Sequence, residues 1–416
     1  MDSALRPFAP AIPDRLAAET VQAMDAADPL ADRRSLFALP AGLVYLDGNS
    51  LGPPTVTMVE RYTDFLVNEW GARLIGGWYE GWMALPERLG DRIGRLIGAP
   101  AGATIVADST SINLYKAARA ALALRSDRRV VLIDEADFPT DRYVLAAAAR
   151  DAGMAVRAMP ARRLQEAVEA DVALVAFSHV DYRTAAERPL AAIVDAAHAA
   201  GALVLVDLSH SAGVLPVDLA DSGADFAVGC GYKFLNGGPG APAFLSVRPD
   251  LLGETRSPIP GWMAHADPFA FAGEFEPAAG IRRFACGTPP VLGLQALAIA
   301  LEAFADCAIP ALAAKARRLG SLLLATLAAE GAAGKARLIS PTAEDRRGAQ
   351  ISLAHPHAAA LMAALAERGV IGDFRPPDIM RFGFSPLILR YEDVWRAGRI
   401  LARLLLEHET QAGPAV

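Results

Sequence analysis

Apolar positions along this chain fall into two alternating periods. Short β-branched runs at 104–106, 130–133, 172–177, 203–206 and 226–228 are separated by longer stretches that read as helices, at 56–70, 85–97, an Ala-rich one ending at about 124, and about 190–200. Strand alternating with helix is the pattern of a mostly parallel sheet covered by helices, so the chain is expected to be an α/β protein. The run Leu203-Val204-Leu205-Val206, bounded by Gly201, reads as a buried parallel strand. The run at 243–247 is expected to form an edge of the same sheet. Ahead of these elements lie an N-terminal arm to about residue 42 and an apolar strand at 43–46, which stops in the turn-rich Asp47-Gly48-Asn49-Ser50. Trp78, Tyr79 and Trp82 crowd one loop, where they are expected to line a pocket or a subunit interface. From about residue 291 the pattern is helical through 327, with Leu292, Ala296, Ile299 and Ala303 as the apolar face. Short strands and helices alternate over 337–407, and this portion is expected to pack with the N-terminal arm. The expected division is an arm and part of a small domain at 1–59, a large domain at 60–290, and a linker helix with the small α/β domain at 291–416.

Length and composition narrow the class. At 416 residues the chain suits one large α/β domain and a smaller one, and 53% hydrophobic with 21% charged residues is globular rather than disordered. A formal net charge of -7 with scattered arginines provides no basic patch, so nucleic acid is not an expected partner. Cys230, Cys286 and Cys307 lie far apart with no C-x-x-C and no zinc spacing, which reads as three reduced thiols in a cytoplasmic protein and no metal site. Residues 1–30 lack a basic segment followed by an apolar core, so no signal peptide is expected. No uninterrupted apolar run reaches membrane-spanning length.

Candidate chemistry gathers between 203 and 235. Asp207 follows the apolar strand at the carboxyl end, where open α/β sheets bind ligands, and His210 comes just after it. Lys233 sits in Gly231-Tyr232-Lys233-Phe234-Leu235, with Gly237 and Gly238 beyond. A lone lysine is ordinarily a surface ammonium, but apolar flanks and a paired acid point to the imine-forming lysine of a pyridoxal phosphate site, with the acid for the pyridinium nitrogen. Asp108-Ser109-Thr110-Ser111 opens the Ala-rich helix. Such hydroxyls are ordinary N-caps, and in a cofactor enzyme the same geometry cradles phosphate. Phe138, in the loop after the 130–133 strand, could stack on a planar ring, and Ser178 ends the 172–177 strand.

These pieces together resemble the kynureninases, pyridoxal 5'-phosphate enzymes of fold type I related to the class V aminotransferases. The resemblance rests on Leu46-Asp47-Gly48-Asn49-Ser50-Leu51-Gly52, Ser111-Ile112-Asn113-Leu114, Phe138-Pro139-Thr140-Asp141, Asp207-Leu208-Ser209-His210, Tyr232-Lys233-Phe234-Leu235-Asn236, Gly261-Trp262, Gly287-Thr288-Pro289-Pro290 and Arg381-Phe382-Gly383-Phe384-Ser385-Pro386-Leu387. Each motif is weak alone; in this order over residues 46–387 the set is specific. Two positions depart from the pattern: Ala185 stands where a glycine is expected after Tyr182-Arg183-Thr184, and Ile388 replaces an aromatic after Pro386-Leu387.

The resemblance implies a large domain with a mostly parallel seven-stranded sheet, a small C-terminal α/β domain that closes on substrate, and hydrolysis of the Cβ–Cγ bond of L-kynurenine to anthranilate and L-alanine, as in tryptophan catabolism. It implies that Lys233 joins the cofactor aldehyde and later acts as general base, with Tyr232 as proton shuttle. Asp207 would hold the ring nitrogen protonated and Phe138 would stack on the ring. Thr110, Ser111, Asp141, Ser178, His210 and Tyr232 would complete the cofactor shell, and Trp262 and Thr288 would reach the cofactor of the neighbouring subunit in a homodimer. Arg381 would clamp the substrate carboxylate, with Asn49, Ser50, Trp78 and Thr288 completing the substrate site. Trp78 and Thr288 fall where animal members that favour the hydroxylated substrate carry histidine and asparagine, which implies weaker activity on 3-hydroxykynurenine. Two rivals are a cysteine desulfurase or related β-lyase, which would need Cys286 as nucleophile, and a non-catalytic cofactor-binding module, which would need neither Lys233 nor Arg381.

Overall fold

A computed structural model describes residue 12 and residues 16–412 of the chain. The remainder of the first fifteen residues, on which part of the arm and leader expectations fall, lies outside the described residues. The chain divides into two compact units, one of Thr57–Asp181 with Arg188–Glu302, the other of Met1–Val56, Tyr182–Glu187 and Ala303–Val416.

The larger unit is built on a seven-stranded sheet in the order Thr104–Val106, Phe244–Val247, Phe226–Gly229, Leu203–Asp207, Val172–Ser178, Val130–Asp134, Ala155–Met159. The five strands from Ala155–Met159 to Phe226–Gly229 run parallel, while Phe244–Val247 is antiparallel to both its neighbours. It is therefore an interior strand and not the expected edge: all four of its residues are buried, and Thr104–Val106 pairs along its outer side. The other edge, Ala155–Met159, is a strand the apolar pattern does not mark. Arg157 and the small Ala155 and Ala158 interrupt its hydrophobic run, and its residues are exposed or half-buried, as suits an edge. Helices Thr110–Ala123 and Pro139–Asp151 lay small buried alanines against the sheet, so their backbones approach a core of Ile105, Leu114, Val131, Leu174 and Leu205. The parallel strands place Asp134, Ser178, Asp207 and Gly229 at carboxyl ends on one side of the sheet.

Two helical expectations are modified. The stretch at 56–70 is α-helical only over Met58–Asp64 and continues as a π-helix over Phe65–Gly71. The stretch from 291 breaks between Val291–Ala300 and Ile309–Ala329, and it buries Leu294, Leu297, Ile299 and Ala300 while Leu292 is exposed. With nearly every residue of this helix apolar, spacing alone could not choose the buried face.

The smaller unit holds a four-stranded antiparallel sheet in the order Asp373–Arg375, Ile379–Gly383, Gln350–Ala354, Arg337–Leu338. Val44–Tyr45 pairs in parallel with Val370–Ile371, and Asp47 bridges to Gly383, so the 43–52 segment is stitched to the C-terminal strands. Helices Ile309–Ala329 and Tyr391–Ala412 pack together over this sheet around Leu319, Leu323, Phe382, Phe384 and Leu401. No single helix among the described residues is long and apolar enough to cross a membrane.

Candidate active site

In the larger unit the strand ends converge on three buried or half-buried carboxylates. Ser178 and Asp207 are direct neighbours across the parallel ladder. Asp207 accepts the Ser209 amide at 2.7 Å, which turns the chain sharply after the strand. Asp141, in the first turn of Pro139–Asp151, is buried and hydrogen-bonded to Asp207; burial, then the Asp207 and Asp137 charges, push its carboxyl well above the usual range, against the pull of Lys233. Asp137 is pushed up to about 6, chiefly by burial, although Arg188 and Ser178 oppose the rise. Its carboxylate accepts the amides of Phe138 at 3.2 Å and Ser178 at 2.7 Å, tying the Phe138 loop to the end of the Ser178 strand. Phe138 itself is 43% exposed.

Lys233 Nζ lies 3.0 Å from His210 Nε2 and 5.9 Å from the centre of the Tyr232 ring. Burial, then Cys230 and Asp207, raise the Tyr232 phenol, so it stays protonated at neutral pH and can act as a proton donor. Beside this group is a cavity of about 570 Å³ lined by Asp108, Ser109, Thr110, Tyr232, Thr288 and Pro290 among others. Ser109 caps the helix by accepting the Ile112 amide, which leaves the first-turn amides of Thr110 and Ser111 without intrahelical acceptors. Thr288 thus shares a cavity with Thr110 and Tyr232 of its own chain. Trp78 and Trp262 pack edge-on with ring centres 6.5 Å apart, and Trp78 also meets Trp82 at 5.5 Å.

In the smaller unit Asn49, Ser50 and Arg381 come together although more than 300 residues separate them in sequence. Arg381 is 1% exposed and gives Nε to Asp373 Oδ1 at 2.8 Å, Nη2 to Asp373 Oδ2, Nη1 to the Tyr182 carbonyl at 2.6 Å and Nη2 to Ser50 Oγ at 3.2 Å. Asn49 donates to Gln350 Oε1 at 2.8 Å.

Several members of these clusters carry no mark in the sequence reading. Asp137 could have been found, because it follows a strand end as Asp207 does. Asp373 could not, since an acid in a short strand resembles an edge charge until the fold pairs it with Arg381. Arg188 bridges Asp134 and Asp181 and donates to the Ser178 carbonyl at 2.8 Å, fixing the strand end from behind. Lys116, fully buried, neutralises Asp108 at 2.7 Å beside the cavity. Cys286 lacks the surroundings of a nucleophile: burial pushes its thiol up, and it points to the Ile259 carbonyl at 3.6 Å.

The larger unit's groups fit pyridoxal 5'-phosphate. An amine, an acid pair suited to a protonated ring nitrogen, an aromatic, and a helix start with hydroxyls for phosphate are the parts that cofactor needs. The fold is similar to solved fold type I enzymes: a cysteine desulfurase from Thermococcus onnurineus NA1, with a TM-score of 0.77 at 17% identity over 90% of this chain and 98% of that one, and the cysteine desulfurase CsdA from Escherichia coli, with 0.76 at 21% identity over 91% and 98%. The fold is therefore fold type I. Curated relatives narrow it further. A kynureninase from Deinococcus radiodurans is 46% identical over 402 residues, covering 95% of this chain and 97% of the relative, and one from Pseudomonas fluorescens is 42% identical over 391 residues, covering 92% and 94%. The family model described as Kynureninase C-terminal domain matches residues 312–401. The chain belongs to the kynureninase family, whose members are pyridoxal phosphate-dependent carbon–carbon hydrolases.

Proposed function

We propose that this chain hydrolyses the Cβ–Cγ bond of L-kynurenine, giving anthranilate and L-alanine. The observation that carries the reading is the convergence of Lys233, His210, Asp207 and Asp141 at the strand ends, in a chain 46% identical to a kynureninase over 95% of its length. Bound pyridoxal 5'-phosphate supplies an electron sink for negative charge developing on the substrate beside its amine. Lys233 would hold the cofactor, and its amine would take the substrate's Cα proton. Asp207, hydrogen-bonded to Asp141, would hold the ring nitrogen and keep it cationic. Phe138 would stack on the ring, and Thr110, Ser111, Ser178, His210 and Tyr232 would hold the phosphate and ring substituents. Water adds its hydroxyl to the γ-carbonyl carbon, which becomes the anthranilate carboxyl, while Cβ gains the proton that makes the alanine methyl. The Tyr232 phenol, held protonated, is suited to deliver that proton. Arg381 takes the substrate's α-carboxylate, with Asn49, Ser50, Trp78 and Thr288 around the rest of the molecule.

The working form is a homodimer in which Trp262 and Thr288 also serve the neighbouring subunit. Its support is a set of large apolar side chains left 63–80% exposed at Val59, Leu74, Ile75, Tyr79 and Phe271, a liability on a monomer. The free thiols of Cys230, Cys286 and Cys307 support a reducing, cytoplasmic setting. The test is an assay of purified holoenzyme with L-kynurenine, following anthranilate fluorescence and L-alanine release in equal amounts. Absence of both products with cofactor bound overturns the reading.

A further inference from the structure

We propose that Asp373 is a positioning residue for substrate recognition, holding one edge of the Arg381 guanidinium so that its other edge is presented to the substrate carboxylate. This inference rests on the reading of Arg381 as the carboxylate clamp and adds a residue to it.

The backbone ladder sets up the arrangement. Asp373 and Arg381 are direct partners across the antiparallel pair of Asp373–Arg375 and Ile379–Gly383, so their side chains start from the same face at neighbouring positions. A guanidinium carries five N–H donors in a rigid plane: one pair along its side through Nε and Nη2, one pair at its end through Nη1 and Nη2, and a last one on Nη1. Asp373 takes the side pair with both carboxylate oxygens. The Tyr182 carbonyl accepts from Nη1 and the Ser50 hydroxyl from Nη2, and the fifth donor, on Nη1, meets no acceptor among the described residues.

Ser50 links the two residues, since its hydroxyl donates to Asp373 Oδ2 at 2.9 Å while accepting from Arg381. A carboxylate arriving at the end pair can replace that weaker 3.2 Å contact without disturbing the bidentate one. Arg375 also pairs with Asp373, at 2.8 Å. Two guanidinium groups and one carboxylate leave one positive charge in excess, and Asp47, beside them, offsets it only when ionised. Burial alone would raise the Asp373 carboxyl, yet Arg381, Arg375 and Ser50 hold it below the usual range, so it remains the anion the arrangement requires.

The Arg381 side chain is 2% exposed, and of the groups that hold its plane only Asp373 carries a charge and takes two donors. Removing that charge while keeping the shape frees the plane to rotate and leaves Arg381 to compete for other acceptors. Loss of a charge-assisted contact of this kind translates to roughly a 10- to 100-fold loss of ligand affinity.

The experiment uses the holoenzyme and its Asp373→Asn, Asp373→Glu, Ser50→Ala and Arg381→Ala variants, each checked for cofactor absorbance. Binding of L-alanine is read from the cofactor spectrum, with ethylamine, which is alanine without its carboxylate, as control. Expected are a 10- to 100-fold weaker L-alanine affinity and a matching rise in KM for L-kynurenine in Asp373→Asn, with kcat changed less, ethylamine binding unmoved, and partial recovery in Asp373→Glu. Ser50→Ala, the gentler change, should weaken L-alanine in the same direction, and it keeps the inference open to refutation should Asp373→Asn not fold. If Arg381→Ala weakens L-alanine while Asp373→Asn and Ser50→Ala do not, Asp373 is not a positioning residue and the clamp stands. If Arg381→Ala leaves L-alanine affinity unchanged, the clamp reading and this inference fall together. Equal loss of L-alanine and ethylamine in Asp373→Asn marks a merely structural role and overturns the inference.

Discussion

Gly383 packs so tightly on Asn49 that a Cβ at position 383 would overlap the Asn49 side chain. The contact joins two segments at the point where the Asp47 bridge meets the Gly383 end of its strand, and Asn49 is held on its other side by Gln350. Gly383→Ala should therefore displace Asn49 and break its 2.8 Å bond to Gln350, at a cost of about 1–3 kcal/mol, typical of overpacking in a closed site. Urea unfolding midpoints of the two proteins check this, and an unchanged midpoint would show that the 49–52 loop can yield.

Lys233→Ala should abolish both turnover and the visible absorbance of the lysine-bound cofactor, because Lys233 is the amine placed against His210 at the strand ends. A variant that retains that absorbance without added amine has its cofactor on another lysine, and the assignment is then wrong.

Ala185 stands in a conformation that suits the expected glycine better. It is fully buried at φ 60°, the left-handed region that favours glycine, and its carbonyl accepts the Gly348 amide at 2.8 Å. The glycine expected there by resemblance is the residue that carries no strain in this conformation. Ala185→Gly should leave stability unchanged or raise it by up to about 1 kcal/mol, the relief of strain being partly offset by added unfolded-state entropy. Ala185→Val should destabilise clearly, and chemical denaturation of both variants at one pH tests the pair.

Asp47 is the source of a pH dependence whose sign can be worked out. Burial first, then the Asp373 charge, raise its carboxyl from 3.8 to about 6, despite Ser50, Arg381 and Arg375. The folded state then binds more protons than the unfolded one between those values, so this residue's contribution favours folding below about pH 4 and is lost as pH rises through 6. Asp47→Asn removes that slope. Relative to the natural protein it should be more stable by on the order of 2–3 kcal/mol at pH 7–8, and the advantage should vanish toward pH 4. Unfolding midpoints at pH 4.5, 6 and 7.5 decide it, and a constant difference across the three would place the titration elsewhere.

Substrate choice should favour L-kynurenine over its 3-hydroxy analogue. Trp78 offers a large ring braced edge-on by Trp82 and Trp262, and Thr288 offers one hydroxyl. The resemblance implies histidine and asparagine at these positions in members that favour the hydroxylated substrate, and an unpaired phenol in a dry pocket costs roughly 1–3 kcal/mol, or about five- to a hundred-fold in specificity. Values of kcat/KM for both compounds on one preparation settle the point, since equality or a reversed preference sinks it.

The local order of this protein is legible in its residues because burial on both faces writes continuous apolar runs. The strands at Val172–Ser178, Leu203–Asp207 and Phe226–Gly229 stand where those runs stand, with Asp207 at its strand end and Thr110 at a helix start. Pairing is different, because an apolar run states that a strand is buried and not which neighbour covers it. Only the folded sheet placed Phe244–Val247 inside, with Thr104–Val106 at the edge, and recruited the half-exposed Ala155–Met159. The same holds for polar contacts. An isolated charge in the sequence has no visible partner, so the Asp373–Arg381 fork, the Arg188 bridge from Asp134 to Asp181 and the buried Lys116–Asp108 pair follow from register and crossover, which bring side chains from distant segments within hydrogen-bond reach.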